Sequence, residues 1–137
     1  MVKRVSSYLI AKTLGPFCSP IDEEYERLMQ VDMNDGNQLV DLLQEYIVPH
    51  VSEYDEESQE LIKDSLSYFI KAGSLNLERV FDAFHMPFEA PKDVSSFLNT
   101  LWSVLFGDTP IRENPLSDYV VDDSEEVANA LYRKGFR

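Results

Sequence analysis

Nucleophilic or zinc chemistry would need cysteine and histidine, and the chain holds only Cys18, His50 and His85. Their separations match no ligand spacing, and a thiol without a partner base has nothing to activate it. Cys18 lies in PFCSP, a linker setting. His50 follows the helix-stopping Pro49, and His85 falls where a helix should end, which suits an imidazolium at the negative end of the helix dipole. All three read as structural. The turn DMNDGNQ has the outline of a calcium loop, but placing Gly36 at the required sixth position puts Val31, Met33 and Leu42 where oxygen ligands are needed. Gly36 is expected instead to supply a positive φ in a turn. There is no Gly-rich phosphate loop, GxSxG elbow or HExxH helix. Carboxylates are so abundant that pairs at glycosidase spacing arise by chance. No catalytic residue, metal or cofactor is expected, and the chain reads as a non-enzyme.

The abundance of acids is itself the leading signal. Residues 51–60 read VSEYDEESQE, with Glu53, Asp55, Glu56, Glu57 and Glu60 around Tyr54 and no lysine or arginine. At about 100° per residue, Glu57, Glu60 and Asp64 stay within roughly 60° of one another and of Glu53, while Ile62, Leu66, Phe69 and Ile70 fall on the other side. The acids are therefore expected to face away from the core, and reversing Glu57, Glu60 and Asp64 to lysine should leave the helix intact. First-turn acids suit the helix dipole, but Glu60 and Asp64 lie beyond it, where like charges cost roughly 0.2–0.5 kcal/mol per pair. Tyr25 in IDEEYER and Tyr119 in SDYVVDDSEE repeat the combination of acid and tyrosine. Six of the twelve bases sit near the ends, so residues 13–132 carry 25 acids, six bases and a net charge of −19.

Such a body attracts cationic partners, and tyrosine supplies rigid, amphipathic contact area. The residues expected to bind a partner are Glu53, Tyr54, Glu57, Glu60 and Asp64, joined by Tyr119, Asp122 and Asp123. Direct nucleic-acid binding is not expected, because its affinity comes largely from lysine and arginine on phosphates.

The elements that must hold these residues read as helices. A length of 137 residues suits one domain, and 44% hydrophobic residues are too many for a disordered acidic tail. Val2, Val5, Leu9 and Ile10 share a face of a first helix stopped by Gly15 and Pro16. Ser19 and Pro20 open a second that carries Ile21, Tyr25, Leu28 and Met29 on one stripe. Leu39, Leu42, Leu43, Tyr46 and Ile47 define a third, which Pro49 should end within a residue or two. A fourth spans about Ser52 to Lys71 before Gly73. A fifth starts at an Asn76 cap with a Leu75–Val80 staple, and a sixth turns Val94, Phe97, Leu98, Leu101, Trp102 and Leu105 inward before Gly107. Residues 108–121 read as an irregular connection in spite of DYVV. DDSEEVANALYRKG reads as a last helix capped by Asp123, with Arg133 and Lys134 in its final turn. The expected fold is an all-α, single-domain bundle of about six to seven short to medium helices. The single cysteine and the lack of a signal peptide, a membrane span or an Asn-x-Ser/Thr sequon point to the cytoplasm.

In size, acidity, helical pattern and missing catalytic apparatus the chain resembles bacterial immunity proteins, small acidic cytoplasmic inhibitors that occupy or flank the active site of a nuclease toxin. The resemblance implies a cationic RNase or DNase domain as partner and carries no residue assignment. The alternative reading is an acidic helical adaptor that grips a partner helix in an apolar groove, its acids serving solubility.

Overall fold

The structure is a computed structural model that describes residues 3–18 and 22–135. In chain order its elements are β1 (Lys3–Val5), α1 (Ser7–Thr13), α2 (Asp22–Met29), α3 (Gly36–Leu42), a π-helical segment (Leu43–Ile47), α4 (Val48–Ser52), α5 (Glu56–Ala72), α6 (Leu77–Ala83), α7 (Val94–Phe106), β2 (Tyr119–Val121) and α8 (Glu125–Ala128). The protein is mostly helical, as its apolar spacing predicts. Val2 and the Ser19, Pro20 and Ile21 start signal lie outside the described residues.

Short polar side chains set the helix starts by accepting N–H groups that a first turn leaves unpaired. Ser6 takes Tyr8 N–H, Asp35 takes Asn37 and Gln38, Asp55 takes Ser58, Asn76 takes Arg79, and Asp93 takes Ser96. Gly36 is thus the first residue of α3 and has no positive φ, contrary to the turn reading; the positive-φ glycines are Gly73, Gly107 and Gly135. Gly73 and Gly107 close α5 and α7 as expected.

His85 closes α6 in the left-handed region, with φ 54°. Its N–H reaches Asp82 O at 3.3 Å and Met86 N–H reaches Phe81 O at 3.1 Å, the two bonds of a Schellman motif. Glycine is the residue without strain at that position, so His85→Gly is expected to raise stability by about 0.5–1 kcal/mol in urea unfolding. Unchanged or lower stability would mean that the imidazole offsets the strain.

Pro49 does not end its helix. Its ring would crowd the carbonyl four residues back in an α-helix and it has no N–H to give. The wider turn of residues 43–47, marked by Val48 N–H on Leu43 O, moves that carbonyl aside, and the rod continues to Ser52.

Helix α5 is the centre of the molecule and packs on α1, α7 and β1. Its Ile62, Leu66 and Phe69 join Ile10, Leu14, Leu98, Leu101 and Trp102 in one core. Three buried serines on α5 accept backbone N–H groups of segments that pack against the helix. Ser58 Oγ accepts Tyr132 N–H at 2.7 Å, Ser65 Oγ accepts Ser6 N–H at 3.4 Å, and Ser67 Oγ accepts Arg112 N–H at 3.0 Å. Buried backbone donors need such acceptors, and serine is small enough to let the chain approach the helix.

Both ends of the described chain depart from the helical reading. Residues 3–5 form β1, paired in parallel with β2 in the register Lys3 with Tyr119, Arg4 with Val120 and Val5 with Val121. Asp122 N–H extends this ladder to Val5 O at 2.8 Å. The last helix is only Glu125–Ala128, because the following residues turn back to α5. There Tyr54 and Arg133 form an antiparallel bridge, flanked by Asp55 N–H on Tyr132 O and Lys134 N–H on Glu53 O, both 2.9 Å. That pairing also holds residues 53–55 out of α5, which starts after Asp55 and not near Ser52.

Candidate partner-binding surface

Folding divides the acidic stripe. Glu53 and Glu57 are exposed beside the 132–134 segment, but Asp64 is buried, at 8% exposure, against the expectation that it faces solvent. Lys3 Nζ lies 3.4 Å from its Oδ1 and Arg112 Nε 3.5 Å. Burial raises the Asp64 carboxyl above the usual carboxylate range, and Lys3 offsets part of the rise. Glu60 is half-buried and pairs with Arg112 and, at 3.5 Å, with Lys63. The bases absent from the local sequence therefore come largely from residues far along the chain. Tyr54 is buried too: its hydroxyl lies 3.2 Å from His50 Nε2, and its ring meets the imidazole edge to face at 5.1 Å. Burial raises the Tyr54 hydroxyl, and Arg133 opposes the shift.

Tyr119, Asp122 and Asp123 gather around the strand pair. Tyr119 is buried against Tyr68, with 5.5 Å between ring centroids, and burial followed by the Asp64 charge raises its hydroxyl. Hydrogen bonds from the Ser124 side chain and from its N–H, the latter at 3.0 Å, lower the Asp122 carboxyl, with a smaller contribution from Arg4. Asp123 lies two residues before α8, and its Oδ1 accepts Ser6 Oγ at 2.7 Å and Ser7 N–H at 3.1 Å, which ties the 120s to the start of α1. The structure thus brings Asp64, Tyr119, Asp122 and Asp123 to one region, interleaved with Lys3, Arg4 and Arg112, and leaves Glu53, Tyr54 and Glu57 at the N-terminal end of α5.

The opposite balance holds on α2 and α3. Residues 22–48 contain eight acids and one base, Arg27. That base is already engaged: it forks onto Glu45 at 2.6 and 2.7 Å, donates to Tyr46 Oη at 3.0 Å and lies over the Tyr46 ring. Tyr46 in turn donates to Glu24, and burial together with that bond pushes its hydroxyl up to about 12. These contacts and the buried Leu28 hold the inner face of α2. At about 100° per residue, Tyr25, Glu26 and Met29 fall within roughly 100° on the outer face. Tyr25 is 41% and Met29 55% exposed, so this is the acid-and-tyrosine cluster whose tyrosine stays at the surface. The apolar spacing puts Tyr25 on the core stripe of α2, whereas the fold turns it outward.

Met29 also borders a cleft of about 290 Å³ with Val31, Met33, Pro87 and Phe88, whose charged lining residues are Asp32 and Glu89. The nearby Lys92 is anchored by its own N–H on Asn34 Oδ1 at 2.9 Å. A cleft of mixed lining, with the exposed Met29 on one side and carboxylates on its rim, fits a side chain with an aliphatic stem and a cationic head, and methionine can adjust to what enters.

Among the described residues no group of three or more histidine, cysteine or acidic side chains could hold a metal, and no helix is long and apolar enough to cross a membrane. The half-buried Cys18 thiol is pushed up by burial, the unreactive direction. No protein-family model, curated protein or solved structure matches the chain.

Proposed function

We propose that the protein is a non-enzymatic, cytoplasmic binding protein that neutralises a cationic nuclease, in the manner of bacterial immunity proteins. The observation that carries this reading is the acid-rimmed cleft at Met29, set beside exposed Tyr25 and Glu26 on a face whose one helix-borne base is occupied by Glu45. A lysine or arginine of the partner would lay its stem on Met29 and Val31 and present its charge to Asp32 or Glu89. The surrounding negative field would speed encounter. A helix-gripping adaptor would call for a continuous apolar groove, whereas this cleft, one of about 300 Å³ beside α6 and one of about 530 Å³ between α3 and α7 are all mixed in polarity.

The test is capture of the partner from the native host on the immobilised protein and on its Glu26→Lys/Glu89→Lys variant, followed by nuclease assays. The wild type should retain a basic protein whose RNase or DNase activity it suppresses at equimolar amounts. The variant should bind at least about tenfold more weakly, about 1.4 kcal/mol. Association should slow steeply as salt rises from about 50 to 500 mM, because screening shortens the reach of the field. A neutral or acidic partner, or a captured nuclease that stays active, would refute the proposal.

A further inference from the structure

The two-stranded sheet has an open edge. In the parallel register, the bond from Asp122 N–H to Val5 O turns the backbone groups of Val120 toward β1 and those of Tyr119 and Val121 away from it. Tyr119 N–H closes the preceding turn on Leu116 O. Three groups are left on the outer edge: Tyr119 C=O, Val121 N–H and Val121 C=O, none of which has a hydrogen-bond partner among the described residues. Val120 and Val121 are 50% and 45% exposed. A bare apolar edge is a template for another strand, and proteins ordinarily blunt it with lysine, proline or a covering segment.

We propose that the outer edge of β2 docks an extended, basic segment of a partner protein as an added strand. The charge of the segment follows from the surroundings. Residues 113–126 hold six acids and no base; Arg4 on β1 reaches Asp122 at 3.9 Å and Glu126 at 3.7 Å, but one guanidinium leaves the segment strongly negative. A second copy pairing edge to edge would bring two such acidic segments together, and like charges opposed across strands are destabilising. A lysine- or arginine-bearing strand meets the opposite situation. Strand addition draws affinity from main-chain bonds and selectivity from pockets that take alternate side chains. Val121 borders such a pocket, the 300 Å³ cleft lined by Phe69, Leu75, Val80 and Phe84 and also by Arg79, so an apolar residue, not a basic one, on that face of the incoming strand would enter it.

The probe is a short capped peptide of alternating lysine and valine, compared with a copy N-methylated on the edge that would face β2 and with a glutamate–valine peptide. Two readouts apply: fluorescence anisotropy at low salt, and hydrogen exchange at the Val121 amide. The lysine peptide should bind with a Kd below about 1 mM and slow Val121 exchange at least about tenfold, while the other two bind at least about tenfold more weakly. Val121→Pro removes the outward donor without touching the bonds to β1, a position where edge strands accept proline, and should weaken the lysine peptide about tenfold as well. Equal binding of the N-methylated peptide would overturn the proposal, since it needs no change in the protein. So would equal binding of the glutamate peptide, failure of the lysine peptide to bind, or a concentration-dependent dimer that protects the Val121 amide. These variants leave Glu26, Met29 and Glu89 in place, so the edge and the α2 face succeed or fail separately.

Discussion

Asp64→Lys is expected to lower the unfolding free energy by about 3–5 kcal/mol, a large share of the 5–15 kcal/mol available to a domain of this kind. The substitution puts an ammonium where a buried carboxylate faces Lys3 at 3.4 Å and Arg112 at 3.5 Å, so three cations meet in a site with little water. Asp64→Asn is the control: it keeps the shape and removes the charge. Burial raises the carboxyl, which means that the folded state favours the protonated form. The stability of wild type relative to Asp64→Asn should therefore be greatest at acid pH and shrink as pH rises from about 4 through the raised folded value. Urea unfolding of all three proteins from about pH 3 to 8 decides the matter. If Asp64→Lys costs less than about 1 kcal/mol, the side chain escapes to solvent and the described burial is wrong.

The second large effect is expected at Phe17, whose ring is fully buried in the turn after α1, edge to face with Tyr46 at 5.9 Å and with Phe88 at 5.2 Å. Phe17→Ala should cost about 3–5 kcal/mol, and Phe17→Leu distinctly less. The same ring supports two parts of the proposed surface, because Phe88 lines the acid-rimmed cleft and Tyr46 holds Glu24 and Arg27 of α2. Under conditions where Phe17→Ala remains folded, its affinity for the partner should fall while Phe17→Leu stays near wild type. A cost below about 1.5 kcal/mol for Phe17→Ala would show that the neighbouring rings collapse into the gap.

The helical part of this fold was legible because its signals are local. The Asn76 cap and the terminating Gly73 and Gly107 are fixed by residues within a few positions of one another. The strand pair was not legible: each partner is three residues long, too short to show a period, and the register joins opposite ends of the described chain. The same blindness affected the acidic surface. Counting charge along 51–64 finds no lysine or arginine in 51–60, yet Lys3 and Arg112 reach Asp64 from 61 residues before it and 48 after. Periodicity assigned Asp64 to the outer face correctly for an isolated helix, but β1 and the 108–118 connection cover that face in the fold. Tyr25 illustrates the reverse error, since the inner face of α2 is occupied by Leu28 and the Arg27–Glu45 and Glu24–Tyr46 contacts.

The parallel strand pair also sets a timetable. Ser6 and Asp123, which tie its ends together, are 117 residues apart. At roughly 5–20 residues per second, β1 leaves the ribosome about 6–23 s before its partner exists. Until then Lys3 and Val5 have no neighbouring strand, Ser6 Oγ lacks the Asp123 carboxylate, and the loop that must close is nearly as long as the chain. Assembly of the sheet is therefore a late event, and a chain interrupted before residue 119 would have α1 to α7 without the clasp between residues 3–5 and 119–121.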